Sequence, residues 1–447
     1  MSADLFKQAQ AAWRENKLQE AYELALKGYT ENPKPENACY VAAILHAAGE
    51  TEAARSALRQ LIVKRPSFIA AQAQLARMIK MDARAASDDA KEEITARHKV
   101  LAAMREVLEH DSFFKPGIFW SAIATKHERM LDDFGIDNFK RSVGHAYQNW
   151  LIADAKDAQW VRLREIWRKD PTDQPLLNTV EGVDDAGFYW DAEFPFYRLS
   201  NPTTLAVYTL ATGILWEFAR AHDALGFLRD FSESTIGNPI RIRRDGQLIS
   251  QDAAHSAREL NALFNTIGLS ANDGLTIAEL GAGHGRLAEM IGQKTNFRYL
   301  IFDIPPTLYV AQWYIQKLFP DEKIFTFRDF SAWDEVADEV NASRFAFFTP
   351  NQIKLLPKKS VDVFINISSL MEMKKSQISY FLERISDVTR LAFFSKQWLE
   401  WTNTFDQITL TKADYELGPD FQLAADGVDE IHEGLFVQIW TAKQAAT

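Results

Sequence analysis

The residues whose types and spacing carry chemistry lie together in one stretch, 275–305. Gly281-Ala282-Gly283-His284-Gly285 is a glycine-rich turn, with Glu279 two positions before it and Asp303 downstream. Glycines let a backbone turn tightly and approach a ligand closely. A helix N-terminus beyond such a turn offers free N–H groups and a partial positive charge. An acid at the end of the next strand can accept both hydroxyls of a ribose. The flanking pattern supplies those elements. Residues 275–280 form a short apolar run that reads as a strand. A helix follows with Leu287, Met290 and Ile291 on one face. A second strand, 297–302, ends at Asp303 and is stopped by Ile304-Pro305-Pro306. The dinucleotide fingerprint G-x-G-x-x-G would need glycine at position 286, where the chain has Arg286. A nicotinamide or flavin site is therefore disfavoured, and a βαβ unit with no ligand stays open as the plainer alternative.

The spacing actually present, G-x-G-x-G with an acid two residues upstream, resembles the S-adenosylmethionine (SAM) turn of Rossmann-like methyltransferases. In that fold the turn backs onto the amino-acid end of the cofactor and the acid after the second strand holds the ribose. The α/β alternation continues as the resemblance requires. Leu308, Ala311, Ile315 and Phe319 make the core stripe of a helix. Residues 323–327 read as strand three, and 344–348 as an extra strand. The apolar run 361–367 reads as the central strand four, 391–394 as strand five, and 434–442 as a last strand pairing with 421–424. Ser376 is placed as the cap of the helix after strand four. The expected sheet is the seven-stranded one.

Four motifs occur together: Glu279 to Arg286, Asp303-Ile304-Pro305-Pro306-Thr307-Leu308, Asn366-Ile367-Ser368-Ser369-Leu370-Met371-Glu372-Met373, and Lys396-Gln397-Trp398. In that order they resemble the sugar O-methyltransferase family of bacteria. Phe139-Lys140-Arg141 with Tyr147, and Gly237-Asn238-Pro239, look like its leader region. The resemblance covers roughly 113–442. It implies a Rossmann-like catalytic domain, SAM as cofactor and a sugar or glycan acceptor. The implied cofactor-binding set is Glu279, Gly281, Gly283, Gly285, Arg286, Asp303 and Ile304, with Asp329 and Phe330 beside the adenine, and Asn366 and Ser368 at the methionine end. An aromatic residue is expected inside the glycine turn, where this chain has His284.

A sugar hydroxyl is a poor nucleophile at neutral pH, so a nearby base helps remove its proton. Reacting groups in such sheets sit at the carboxyl ends of the strands. Glu372, just beyond strand four, is the first candidate for base or substrate anchor. Its plainer role is a helix-start carboxylate near the macrodipole. His255 and His284 follow, because an imidazole titrates in the right range. For His255 an exposed helix position is an equal alternative. No tight Asp/Asp or Glu/His pair suggests a metal, and no metal ligand is assigned.

The elements before the site divide into two parts. In 1–112, Asn16, Ala21 and Pro33 recur one period later as Gly49, Ala54 and Pro66, between helical patterns. This resembles the tetratricopeptide repeat, slightly short in period. A third, looser unit is expected from Phe68 to about His110, with an insert at 83–89. Stacked repeats leave a concave face suited to a protein partner. A plain helical bundle is the alternative. Residues 113–236 form a helical leader or cap. It includes a helix carrying Tyr147 and Trp150, a loop at 170–175, and an acidic, aromatic stretch at 181–195 that suits a carbohydrate or simply packs as loop. Residues 237–447 are the catalytic domain. They open with a hairpin around Asp245-Gly246 and a helix at 253–267 capped by Ser250 or Asp252.

Composition narrows the classes. The formal net charge of −11 disfavours nonspecific binding to nucleic acid or anionic membrane. The longest uncharged stretch, 199–216, contains Pro202 and Gly213 and reads as a buried helix rather than a membrane span. The polar N-terminus is not a secretory signal. With Cys39 as its single cysteine the chain forms no internal disulfide, which suits a reducing, cytoplasmic setting. Two alternatives to the sugar enzyme stand: a protein methyltransferase recruiting its substrate through the repeats, and a catalytically silent scaffold.

Overall fold

The computed structural model describes residues 2–143, 151–169, 179–181, 202–404 and 406–443. The expected helix around Tyr147 and Trp150, the loop at 170–175 and most of the stretch at 181–195 lie outside the described residues.

The chain opens with α1 (Ser2–Arg14), α2 (Leu18–Glu31), α3 (Pro35–Ala47) and α4 (Thr51–Lys64). Ala9, Ala21, Ala25 and Ala54 are fully buried where these helices cross. A methyl is small enough there for the backbones to come close. α5 (Ile69–Ala86) and α6 (Asp88–Glu109) follow. The insert expected at 83–89 is mostly helical. α5 runs unbroken to Ala86, and Ser87 starts the next helix, its hydroxyl accepting from the Ala90 N–H at 3.4 Å. The alanine-rich segment favours helix over loop. α5 faces two ways: Ala71 and Met78 join the core of the first helices, whereas Ala73 and Met81 pack against the large core beyond. α6 puts Leu101 and Met104 into that large core and Leu108 into the core on the other face of the sheet.

The middle of the chain is helical: α7 (Ile118–Phe134), the single turn α8 (Phe139–Ser142), α9 (Ala158–Lys169) and α10 (Pro202–Ala221). No described helix is long and apolar enough to cross a membrane. A short strand β1 (Thr179–Glu181) pairs antiparallel with β2 (Arg241–Arg244), which turns at Asp245-Gly246 into β3 (Gln247–Ile249). Ser250, not Asp252, caps α11 (Gln251–Ile267), its hydroxyl accepting from the Ala253 N–H at 3.0 Å.

From there the chain builds β4 (Thr276–Leu280), α12 (Arg286–Lys294), β5 (Arg298–Phe302), α13 (Thr307–Leu318), β6 (Ile324–Phe325), α14 (Ala337–Asn341), β7 (Phe345–Phe348) and β8 (Val361–Ile367). Then come α15 (Lys375–Val388), β9 (Thr389–Trp398), β10 (Glu400–Asn403), β11 (Ile408–Thr411), β12 (Phe421–Val428) and β13 (Leu435–Ala442). The main sheet has eight strands in the order β12-β13-β9-β8-β4-β5-β7-β6, not seven. The extra strand is β7, inserted in parallel between β5 and β6. All of its residues, Phe-Ala-Phe-Phe, are buried, as a strand covered on both faces requires. It displaces the two-residue β6 to the sheet edge. β13 runs antiparallel to β9, and β12 to β13, as expected. Side chains alternate between two cores: Ile277, Ile301 and Ile365 face one, Leu280, Phe302 and Phe364 the other. α15 begins at Lys375, so Ser376 lies in its first turn. The Gln377 side chain accepts from the Lys374 N–H there, at 3.1 Å. The β10–β11 hairpin had no sequence signal that we read.

Candidate active site

A cavity of about 1030 Å³, counting the open space at its mouth, lies at the carboxyl ends of β4, β5 and β8. This is where parallel strands leave their loops and where ligands of such sheets bind. Its floor is the glycine turn. Gly281, Gly283 and Gly285 have φ of 77°, 61° and 91°, a region that L side chains rarely enter. At Gly281 a Cβ would meet the Ser369 hydroxyl oxygen at 2.2 Å, so this position also needs glycine for close approach. The Gly281 N–H donates to the Phe302 carbonyl at 2.8 Å, joining the turn to the end of β5.

Asp303 completes that joint. Its carboxylate accepts from the Gly283 N–H at 2.9 Å and the Ile304 N–H at 2.7 Å. Burial nonetheless pushes this carboxyl up to about 7, with the backbone donors holding it lower than burial alone would. Glu279 is buried at the end of β4 and accepts from the Tyr299 hydroxyl at 2.7 Å. Burial drives it up to about 8, opposed by the nearby Arg286 charge. Both acids therefore carry protons for part of the neutral range.

Arg286, the first residue of α12, donates to the Ser256 hydroxyl at 2.8 Å and pairs with Glu259 at 2.7 Å. Glu259 also meets Lys396 at 3.0 Å, and Lys396 meets Asp429 at 2.9 Å. This buried ionic chain ties the glycine turn to α11, β9 and the β12–β13 connection. His255 sits against it. Burial, then Lys396 and Arg258, hold its imidazole well below the usual histidine range, so it is neutral. It is buried rather than on an exposed helix face, and it does not line the cavity. His284 does line it. Its ring packs 5.4 Å from Phe139 and 5.8 Å from Tyr314, centroid to centroid, filling the place expected of an aromatic residue. Burial, then the Lys140 charge, keeps it neutral as well.

The loop after β8 forms another wall. Asn366 is fully buried and does not reach the cavity. It pins the loop, donating to the Leu280 carbonyl at 2.8 Å and the Ser369 hydroxyl at 2.6 Å, while its own side-chain oxygen accepts from the Leu370 N–H at 3.2 Å. Ser368 is a non-glycine residue at φ 54°, held by its N–H donating to the Lys396 carbonyl at 2.8 Å. Its hydroxyl and that of Thr307 are buried, line the cavity and have no partner among the described residues. Glu372 is half-buried in the same wall and accepts from the Trp120 indole N–H. Burial pushes its carboxyl up to about 8, against that hydrogen bond.

The cavity thus gathers Glu279, Gly281, Gly283, His284, Arg286, Asp303, Ile304, Ser368 and Glu372. Gly285 is the turn's exit residue, packed near the Ile315 side chain. Asp329 and Phe330 are elsewhere. Asp329 is exposed, and the Phe330 ring is buried against Phe325 and Phe348. The physical reason is β7, which takes the place beside β5 and carries the end of β6 away from the cavity. Sequence reasoning missed Thr307 as an open hydroxyl and missed the roof, made by Phe114, Pro116, Gly117 and Trp120. Among the described residues no group of three or more His, Cys, Asp or Glu is arranged to hold a metal.

No family model matches the chain, and no curated protein sequence matches it. Partial likenesses to solved structures exist. The mitomycin 7-O-methyltransferase MmcR is 10% identical, covering 43% of this chain and 57% of its own, at a TM-score of 0.27. The chain therefore spans under two thirds of that enzyme. The magnesium protoporphyrin IX methyltransferase of Synechocystis PCC 6803, solved with bound SAM, is 11% identical, covering 51% of this chain and 97% of its own, at a TM-score of 0.30. A SAM-dependent methyltransferase from Aquifex aeolicus is 12% identical, covering 41% and 89%, at a TM-score of 0.26.

Proposed function

We propose that the chain is a SAM-dependent O-methyltransferase acting on a hydroxyl of a sugar or glycan. The observation that carries this reading is the meeting, in one cavity, of a positive-φ glycine turn, an acid bound to that turn by its backbone, and a second carboxyl across the space. The residues suit the cofactor. Asp303 keeps lone pairs for ribose hydroxyls, Ser368 and Thr307 present buried hydroxyls that lack partners among the described residues, and Arg286 puts a positive charge, and Glu279 a carboxyl that is mostly protonated at neutral pH, near a zwitterionic end. When bound, SAM supplies a methyl on a cationic sulfonium.

The chain's own residues do the rest. The glycine turn and Asp303 fix position, which is the larger part of catalysis when a nucleophile must line up with its target. Glu372 Oε2 is engaged by Trp120, and among the described residues Oε1 has no hydrogen-bond partner. Oε1 takes the acceptor's hydroxyl proton. Aromatic walls at Phe114 and Trp120 give a sugar ring a surface to stack on, and the carboxyl meets its hydroxyl. The order of motifs resembling sugar enzymes supports the same acceptor class. No described residue before Phe114 lines the cavity, and we assign the first helices to docking a protein partner.

Calorimetric titration of SAM and its demethylated product into wild type and Asp303→Ala tests the reading. Micromolar binding to wild type, weakened at least about tenfold by losing the charged acceptor, is expected. Absence of binding to wild type removes it.

A further inference from the structure

The roof of the cavity comes from a distant part of the chain, and one of its side chains reaches the candidate base. Trp120 and Glu372 are separated by 252 positions, yet the indole N–H donates to Glu372 Oε2. Trp120 lies in the first turn of α7, and that turn is itself held. Asp406, in the loop between β10 and β11, accepts from the Ile118 N–H at 2.9 Å and the Phe119 N–H at 3.3 Å. Gly117 permits this approach, since a Cβ there would meet Asp406 Oδ2 at 2.7 Å. Below, the Gln377 side-chain amide donates to the Phe113 carbonyl at 2.7 Å, tying the same segment to α15. The roof is therefore clamped to the catalytic half at two points just before Trp120 in the chain.

We propose that Trp120 is a positioning residue: it orients the Glu372 carboxyl from the roof, leaving Oε1 for the acceptor. This rests on the transferase reading. An indole is a donor only, so the bond survives whichever oxygen Glu372 protonates, and it strengthens when the carboxyl ionises. A Trp at this place favours the charged, proton-accepting form without adding a charge that would attract anions. Asp303 in the same cavity raises the Glu372 carboxyl, Arg286 lines that cavity too, and Tyr415, which the Glu372 charge influences, is held protonated by burial. Trp120 is the donor that opposes burial.

The test is the titration of the Glu372 side-chain carboxyl, followed by carbon-13 NMR and assigned by its loss in Glu372→Gln. In wild type the midpoint lies near pH 8, and the Trp120 indole N–H resonance moves with the same midpoint. In Trp120→Phe, which keeps an aromatic ring in the roof, the carboxyl midpoint rises by about one pH unit, because the donor favouring the anion is gone. At pH 7.5 the ionised fraction then falls several-fold, and turnover falls with it and recovers as pH rises. An unchanged midpoint in Trp120→Phe, or a wild-type carboxyl that titrates near its ordinary value, overturns the proposal. SAM calorimetry on wild type separates the two levels. A shifted midpoint in a protein that binds no SAM leaves the positioning bond standing and removes the transferase.

Discussion

Replacing Glu279 by Gln should make the protein more stable, and only where the pH is high enough. The side chain is buried at the end of β4, where its Oε2 accepts from the Tyr299 hydroxyl. Gln keeps the shape and that acceptor. The native carboxyl is pushed up to about 8 from an ordinary value near 4.5. Between those limits the folded protein holds a proton that the unfolded chain has released. Stability therefore falls as pH rises through that window, and no penalty exists below it. A neutral amide escapes the penalty. At pH 7 the interval above 4.5, at about 1.4 kcal/mol for each pH unit, sets a ceiling on the order of 3 kcal/mol. Relaxation and water entry reduce the gain to about 1–2 kcal/mol, a rise of a few degrees in Tm. Thermal unfolding of wild type and Glu279→Gln at pH 5 and pH 8 reads it directly. The gain should be large at pH 8 and nearly absent at pH 5. An equal gain at both, or a loss at pH 8, would refute the reasoning that Glu279 is a desolvated acid kept for a ligand.

Other expectations follow from the same site. Gly281→Ala combines a φ of 77° with a 2.2 Å encounter with the Ser369 hydroxyl, and should lose about 2–4 kcal/mol in urea unfolding. An unchanged midpoint would mean that the turn and the β8 loop do not meet as described. SAM affinity should rise with pH through about 7, close to tenfold per unit below that point, as the Asp303 carboxyl ionises; affinity flat from pH 5.5 to 7.5 would contradict it. Arg97 is fully buried between Glu93 and Asp132, which keep Arg84 and His98 as further partners and stay partly exposed, so Arg97→Ala loses one buried partner of each and should destabilise by about 2 kcal/mol. A loss under 1 kcal/mol would mean that solvent reaches the pair.

The glycine turn, its two acids and the strands around them were legible because each is local: a few residues decide a turn, a strand or a cap. Ser250 is one such case, a single hydroxyl at the right offset. Glu372 was picked out by its place after the apolar run 361–367, and it does line the cavity. The pair expected beside the adenine, Asp329 and Phe330, does not line the cavity, because strand order is not a local property. Residues 345–348 have the composition of a central strand, and nothing in their spacing says that they slip between β5 and β6. Asn366, expected as a cofactor contact, hydrogen-bonds Ser369 and the Leu280 carbonyl and does not line the cavity. Trp120 had no signal at all, since its partner lies in another third of the chain.

Helix α5 lies between the first helices and the large core, with Met78 turned one way and Met81 the other. α6 is anchored on both faces of the sheet. Cutting the chain at residue 110 would therefore strip a wall from the half that carries the cavity rather than detach a module. The natural place to trim is just after α4, ahead of Ile69. In heating, helices α1 to α4 are free to fray first, with α5 and α6 melting together with the sheet. A partner clasping α1 to α4 would thus protect them from proteases while leaving the melting of the half that carries the cavity unchanged, unless it also gripped α5.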